Sequence, residues 1–122
     1  MTLWVVKLGT SLLRGDTAAA IEGFTARIAA AQHRGDSVVL VTSGAVGLGC
    51  QRLGLTQRPE SVLSLQAAAA VGQGYLMALY ERAMERHGIK VAQVLLTRSD
   101  LADRRRYQNA SGSLRQLLEW GV

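Results

Sequence analysis

The chain has 122 residues, of which 48% are hydrophobic and 19% charged, and its formal net charge is +5. This length supports one domain with a moderate core, and the composition excludes a disordered or fibrous protein. The single cysteine, Cys50, excludes an internal disulfide, and residues 1–7 lack the pattern of a signal peptide. We therefore expect a cytoplasmic protein. We expect no membrane partner, because no uninterrupted apolar run approaches the roughly 20 residues that cross a bilayer.

The positive charge favours a nucleic-acid partner, but its distribution does not. Most arginines stand singly on predicted helices, and only Arg104–Arg106 form a run. Aromatic residues make up 5% of the chain, too few for a platform on which bases stack. We expect no nucleic-acid binding by this segment, and a basic surface that tolerates anionic small molecules.

The first apolar run and the turn after it favour a phosphate site. Leu3–Leu8 is short, apolar and bounded by a glycine, which predicts a strand buried on both faces of a sheet. Lys7 near its end needs an anion or access to solvent, and Gly9 and Thr10 allow close backbone approach and offer a hydroxyl. The alternative is a Lys7 side chain that extends into solvent beside an ordinary turn.

A second strand and glycine-rich turn follow the first helix. Asp16 is a suitable N-cap for a helix that runs to about His33, and Ser37–Thr42 predicts another buried strand. A helix that starts at Ser43 or Gly44 would direct free N–H groups to the sheet edge that carries Lys7. The alternative is that Ser43 is only an N-cap. The order of the glycines does not match a dinucleotide-binding fingerprint.

The remaining elements are a long helix, a third strand and a final helix. The helix extends from Ser61 to about His87, and its Gly72 and Gly74 predict close packing against another element. His33 and His87 each precede a glycine-type helix end, so both are interpreted as structural. The third strand is Lys90–Thr97, the last helix ends near Trp120, and Gly121–Val122 are typical of the start of another strand.

Two aspartates follow the third predicted strand. Asp100 and Asp103 could bind Mg²⁺ or a substrate amine at the sheet edge. Aspartates in this position more often cap a helix, and arginines nearby offer partners, so the structural interpretation is preferred. Three strand–helix units together predict an α/β fold, a three-layer α/β/α sandwich with a mostly parallel sheet.

Four segments, in this order and at these separations, carry a resemblance to a known family. They are distributed over most of the length of the chain: Val5–Ser11, Val41–Ala45, Ala69–Gln73 and Leu95–Asp100, the last continued by Asp103-Arg104 and Asn109-Ala110. The chain resembles the glutamate 5-kinases of the amino acid kinase family. The resemblance implies transfer of a phosphoryl group from ATP, with Mg²⁺, to the side-chain carboxylate of L-glutamate, the first step of proline biosynthesis.

The resemblance also implies roles for residues of the two turns. Lys7 would be catalytic and contact the transferring phosphate of ATP, and the turn of Gly9 and Thr10 would also contact the nucleotide. Ser43 would bind glutamate. We further expect backbone donors from the adjoining turn residues, Gly44 and Ala45.

The family is longer than this chain, so we expect residues 1–122 to be a truncated, amino-terminal part of an amino acid kinase domain. The nucleotide-binding half and any PUA domain would be absent, and the chain alone inactive. A homo-oligomer and feedback inhibition by proline are also implied, and no metal ligand is assigned. The alternatives are a non-catalytic module for binding or self-association, and, from charge alone, a nucleic-acid binder.

Overall fold

The computed structural model describes residues 1–122 as a small parallel sheet with five α-helices. The two strands hydrogen-bond in parallel, with Leu3 opposite Ser37 and Leu8 opposite Thr42. The predicted α/β class with a parallel sheet is confirmed. In chain order the elements are β1 (Leu3–Leu8), a 3₁₀ turn (Thr10–Leu13), α1 (Thr17–His33), β2 (Ser37–Thr42), α2 (Ala45–Arg52), α3 (Val62–Glu85), α4 (Arg98–Ala102) and α5 (Arg104–Glu119).

The third predicted strand does not join the sheet. Residues Lys90–Leu96 belong to no helix or strand and form no backbone–backbone hydrogen bond, and Gly121–Val122 form no strand either. The prediction of a third strand at Lys90–Thr97 is therefore wrong for this chain, since it rested on apolar, β-branched composition alone. Composition could not predict pairing, because pairing requires a neighbouring strand at hydrogen-bonding distance.

The sheet is covered on one face only. Leu8 of β1 enters a core with Ile21 of α1 and Leu76 and Tyr80 of α3. On the other face, Val5 is 68% exposed. The prediction that β1 is buried on both faces is therefore wrong for this chain, since no element covers that side of Val5.

Helices α2 and α3 pack with their backbones in contact. A β-carbon built on Gly49 would lie 1.7 Å from the carbonyl oxygen of Ala68, and one built on Gly72 would lie 1.7 Å from that of Ala45. Only glycine fits at these two positions, so the predicted close packing is confirmed for Gly72. Gly74 is different, because a β-carbon there would meet nothing within 4 Å.

Helix α3 is long and apolar enough, by length and composition alone, to cross a membrane. Core helices of water-soluble proteins have the same composition. Leu76, Tyr80 and Ala83 of α3 are buried in the core, whereas only 17% of its most apolar stretch is buried in this chain. Length and composition alone are weak evidence for a membrane span.

The helix ends near the two histidines lie side by side. His33 Nε2 is 3.1 Å from the backbone carbonyl oxygen of His87, so the end of α1 is linked to the end of α3. Gly35 and Gly88, which follow these ends, have φ values of 95° and 72°. The contact agrees with a structural interpretation of His33.

Asp36, the residue before β2, links the beginning of β2 to the beginning of β1. Its carboxylate accepts hydrogen bonds from the Thr2 backbone N–H at 3.0 Å and from the Trp4 indole N–H at 3.1 Å. The bond from Trp4 is the largest influence that lowers the pKa of Asp36, followed by the bond from Thr2. The ionised carboxylate therefore favours the folded state.

We expect Gly72→Ala to destabilise the fold by about 3 kcal/mol or more, because the added methyl group overlaps the backbone of α2. Gly74→Ala is the matched control on the same helix. It should stabilise the fold by up to about 1 kcal/mol, because alanine is the better helix former and the site is open. Urea unfolding followed by circular dichroism measures both, and equal midpoints for the two variants would contradict the close packing.

Asp36 should also make stability depend on acidity. Because its pKa is lowered on folding, its contribution is complete above the ordinary value of about 3.9 and is lost as the pH falls through the folded-state value. The thermal unfolding midpoints of the parent protein and of the Asp36→Asn variant should differ at pH 6 and become equal in strong acid. A constant difference across that pH range would argue against the ionised carboxylate as the cause.

Candidate active site

The two predicted turns lie next to each other at the carboxyl end of the sheet. The Ser43 backbone N–H donates to the carbonyl oxygen of Leu8 at 3.2 Å, which extends the pairing of β1 and β2 by one residue. The Ser43 hydroxyl also donates to that carbonyl at 3.3 Å and lies 3.2 Å from the Thr10 hydroxyl. The structure therefore brings the Gly9–Thr10 turn and Ser43 together.

Gly44 sets the direction of the second turn. Its φ is 108° and its ψ is 2°, a left-handed conformation that glycine adopts readily. Gly44 is the N-cap residue of α2, which begins at Ala45. The alternative that Ser43 is the N-cap is therefore wrong, since its hydroxyl bonds to β1 and the 3₁₀ turn.

The first turn of α2 has backbone N–H groups without hydrogen-bond partners. The backbone N–H groups of Ala45, Val46 and Gly47 have no partner, because the first bond of the helix runs from Leu48 to the carbonyl of Gly44 at 3.0 Å. Free N–H groups at a helix start attract anions. Together with the adjacent hydroxyls of Thr10 and Ser43, they suit a phosphate or a carboxylate.

Lys7 occupies the next-to-last position of β1, opposite Val41. Its side chain is exposed and takes part in no ion pair or hydrogen bond. Lys7 is thus a cation at the same sheet end with no acidic partner, although no contact joins its ammonium group to Thr10 or Ser43. Its placement leaves it available to an anion that binds at the two turns.

A cleft of about 340 Å³ opens between the 3₁₀ turn and α2. Thr10 and Gly44 line it, as do Arg14 and Gln51, and no acidic side chain does. The sequence analysis did not identify Arg14 or Gln51. The only available signal for Arg14 was its position four residues after Thr10. Gln51 lines the cleft together with Gly47 and Leu48 of α2, an arrangement that depends on how α2 packs beside the 3₁₀ turn.

Behind the turn, Tyr80 holds the end of β2. Its hydroxyl lies 2.6 Å from the Thr42 hydroxyl, and the Tyr80 side chain is buried in the core. Burial raises the pKa of Tyr80, and the bond from Thr42 partly opposes that effect. Thr42 precedes Ser43, so this bond anchors the second turn to α3.

The two aspartates after the third predicted strand are helix caps. Asp100 accepts from the backbone N–H and the hydroxyl of Thr97 at 2.7 and 2.8 Å, and these bonds lower its pKa. Asp103 accepts from the Arg106 backbone N–H at 2.9 Å. The structural interpretation of both residues fits these contacts. The chain has no group of three or more His, Cys, Asp or Glu side chains placed to hold a metal ion.

We expect Thr42→Val to cost about 1–3 kcal/mol of stability, because it leaves the buried Tyr80 hydroxyl without its partner. The double variant Thr42→Val/Tyr80→Phe should be less destabilised than the sum of the two single variants, since it removes both polar groups. Urea unfolding of the four proteins gives the coupling energy. Strictly additive losses would show that the bond contributes nothing.

Comparison with known proteins identifies the family. The family model described as "Amino acid kinase family" matches residues 2–122. The chain is 79% identical over 122 residues to a glutamate 5-kinase of Synechococcus sp. (strain CC9902) and 80% identical to one of Parasynechococcus marenigrum (strain WH8102). These matches cover 100% of this chain and 34% of each relative.

A more distant relative gives the same result. A glutamate 5-kinase of Ralstonia nicotianae is 55% identical over 122 residues, which is 97% of this chain and 33% of that protein. The chain thus spans about a third of the length of the curated relatives that it matches. Because the family model covers all but one of its residues, the chain belongs to the amino acid kinase family.

Proposed function

We propose that the protein containing this chain transfers the terminal phosphoryl group of ATP to the side-chain carboxylate of L-glutamate, which gives L-glutamyl 5-phosphate. The observation that carries the proposal is the 3.2 Å contact between the hydroxyls of Thr10 and Ser43. The contact places a turn suited to the phosphate of a phosphoryl donor beside a turn suited to the carboxylate of a phosphoryl acceptor. Phosphoryl transfer requires the donor and the acceptor to be held side by side. The names of the curated relatives support the choice of glutamate.

In this proposal the nucleotide lies over the end of β1. The Lys7 ammonium group offsets negative charge on the transferring phosphoryl oxygens, and the backbone of Gly9 and the hydroxyl of Thr10 position the phosphates. Lys7 has no acidic partner that would compete with ATP. Arg14, on the wall of the cleft, adds a second positive charge near the same turn.

Glutamate lies over the end of β2. The Ser43 hydroxyl binds it, and the free N–H groups that follow Gly44, beginning with that of Ala45, hold a carboxylate or the developing charge of the transition state. The γ-carboxylate of the substrate is itself the nucleophile. The protein therefore needs no nucleophilic side chain, and its contribution is to position and neutralise charge.

Mg²⁺ would accompany ATP in such a reaction and would offset part of the negative charge of the phosphates. The residues of this chain do not fit a protein site for it. No suitable group of ligands exists, and the carboxylates of Asp100 and Asp103 are engaged at helix starts. We therefore assign no magnesium ligand within residues 1–122 and no catalytic step to the ion.

We further propose that residues 1–122 form the amino-terminal part of an amino acid kinase domain whose nucleotide-binding half lies in the rest of the protein. The match to only about a third of the length of each relative supports this division. It follows that residues 1–122 alone are inactive. The full-length protein would be a cytoplasmic homo-oligomer, would begin proline biosynthesis and would be open to feedback inhibition by proline.

The test is a glutamate kinase assay of the full-length protein. Lys7→Ala should lower kcat by about 10²–10³-fold, the usual effect of losing one group that stabilises transition-state charge. Ser43→Ala should mainly raise the KM for glutamate. Arg27→Ala, which removes an exposed and unpaired positive charge on α1, is the matched control and should retain full activity. Unchanged activity of Lys7→Ala would refute its mechanistic role.

Self-association of the isolated chain is the second candidate, favoured by exposed apolar side chains on the open sheet face. Leu3 is 57% exposed, Val5 68% and Val41 47%. Isothermal titration with L-glutamate and with Mg·ATP, together with sedimentation, separates the two candidates. Binding of glutamate that Ser43→Ala abolishes supports the substrate site. An oligomer that binds neither ligand supports a role limited to assembly.

A further inference from the structure

The cleft between the 3₁₀ turn and α2 extends away from the two turns of the candidate site. Along α2 it is lined by residues spaced three or four apart, which share one side of a helix: Gly44, Gly47, Leu48 and Gln51. Gly44 belongs to the site itself, and Gln51 lies about 10 Å farther along the helix axis. The cleft thus has a near end at the candidate site and a far end beside Gln51.

The lining of the cleft suits a small molecule that carries negative charge. Only two of its nine lining residues, Leu13 and Leu48, are hydrophobic, and none is acidic. Arg14 is the one lining residue with a charged side chain, which is exposed and forms no ion pair. An unpaired guanidinium group beside a wall without carboxylates is available to an anion. Its planar, forked geometry matches a carboxylate in particular.

The size of the cleft favours an amino acid over a nucleotide. Sites for small molecules enclose about 300–1,000 Å³. This cleft, at about 340 Å³, is at the lower end of that range. An amino acid fits such a space, whereas ATP, with its base, its ribose and its three phosphate groups, is far larger. The charge of Arg14 acts on both substrates at the shared turn, but the cleft that Arg14 lines suits the smaller one.

Glutamate has two carboxylates, and the proposed reaction phosphorylates only one of them. When the γ-carboxylate lies at the free N–H groups of α2, the α-carboxylate lies several bonds away and needs a second site. The cleft begins at Gly44, beside those N–H groups, and Arg14 lines its other wall at the end of the 3₁₀ turn. A cation in this place can hold the α-carboxylate while the γ-carboxylate stays at the turn.

We propose that Arg14 binds the α-carboxylate of the amino-acid substrate and thereby determines which carboxylate meets the phosphoryl group. The inference rests on the proposed phosphoryl transfer and adds a specificity-determining residue to it. No other cation lines the cleft, so a neutral side chain at position 14 leaves the α-carboxylate without a charged partner there. The fold does not depend on Arg14, because its side chain is exposed and unpaired. Substitution of Arg14 therefore separates a binding role from a structural one.

Isothermal titration of the full-length protein with L-glutamate, and separately with Mg·ATP, tests the proposal. Arg14→Met removes the charge and keeps a long side chain, so the Kd for glutamate should rise about 10–100-fold, the usual loss for a charge-assisted hydrogen bond. Arg14→Lys should recover part of that loss, because it restores the charge without the fork. The Kd for Mg·ATP and the thermal unfolding midpoint without ligand should stay unchanged. Arg27→Met, at an exposed and unpaired position on α1, is the matched control and should bind glutamate like the parent.

L-Isoglutamine identifies the group that Arg14 contacts, because a neutral carboxamide replaces the α-carboxylate in this molecule. The parent protein should bind L-isoglutamine more weakly than glutamate, and Arg14→Met should weaken that binding no further. An equal loss of affinity for both ligands would overturn the proposal, because Arg14 would then act on another part of the substrate.

This inference and the proposed function fail in different ways. Equal affinities of the parent and of Arg14→Met for glutamate would overturn the role of Arg14 and leave the proposed function standing. A loss of affinity for Mg·ATP alone would do the same, since it would place Arg14 at the nucleotide. A parent protein that binds no glutamate would contradict the proposed function, and the role of Arg14 with it.

Discussion

The backbone contact between α2 and α3 is the constraint on which the rest of this structure depends. A close approach of two helices requires glycine at each point of contact, and the chain provides Gly49 on one helix and Gly72 on the other. The cost is about 1 kcal/mol of intrinsic helix stability for each glycine. That cost is offset because the approach lets Leu48 of α2 and Leu76 of α3 enter one core with Leu8 of β1.

The same contact determines where the site lies. The carbonyl oxygen of Ala45 packs against Gly72, so the first turn of α2 cannot shift without moving α3. Gly44, in its left-handed conformation, then connects that helix to the end of β2. Ser43 is held from the other side by the carbonyl of Leu8. The turn before α2 is therefore held by packing against α3 on one side and by a hydrogen bond to β1 on the other, and the free N–H groups at the start of α2 face no partner within this chain.

Sequence reasoning was most successful where the cause of a feature lies within a few residues. The strands Leu3–Leu8 and Ser37–Thr42, the N-cap at Asp16 and the close packing at Gly72 were all predicted from local composition and spacing. The meeting of the two turns followed from the rule that parallel strands share a carboxyl edge. Arg14 and Gln51 were missed, because their positions at the cleft depend on the angle at which α2 leaves the sheet. The alternative that Ser43 is the N-cap of α2 is wrong by one residue, since the Ser43 hydroxyl bonds to Leu8 and lies beside Thr10 instead of capping its own helix.

The third predicted strand shows the limit of local reasoning most clearly. Its residues have the composition of a buried strand, yet they form no strand and Leu95 is 70% exposed. Burial and pairing are properties of what lies beside a segment, and composition reports only what the segment tolerates. Because the segment is mostly exposed, water can satisfy its backbone groups, and the cost of this arrangement is the exposure of its apolar side chains. Residues of this segment and of β2 line the same apolar groove, and neither has a backbone partner there. The apolar character of Lys90–Thr97 thus makes the segment suitable for a sheet, but a strand forms only where a second strand lies at hydrogen-bonding distance.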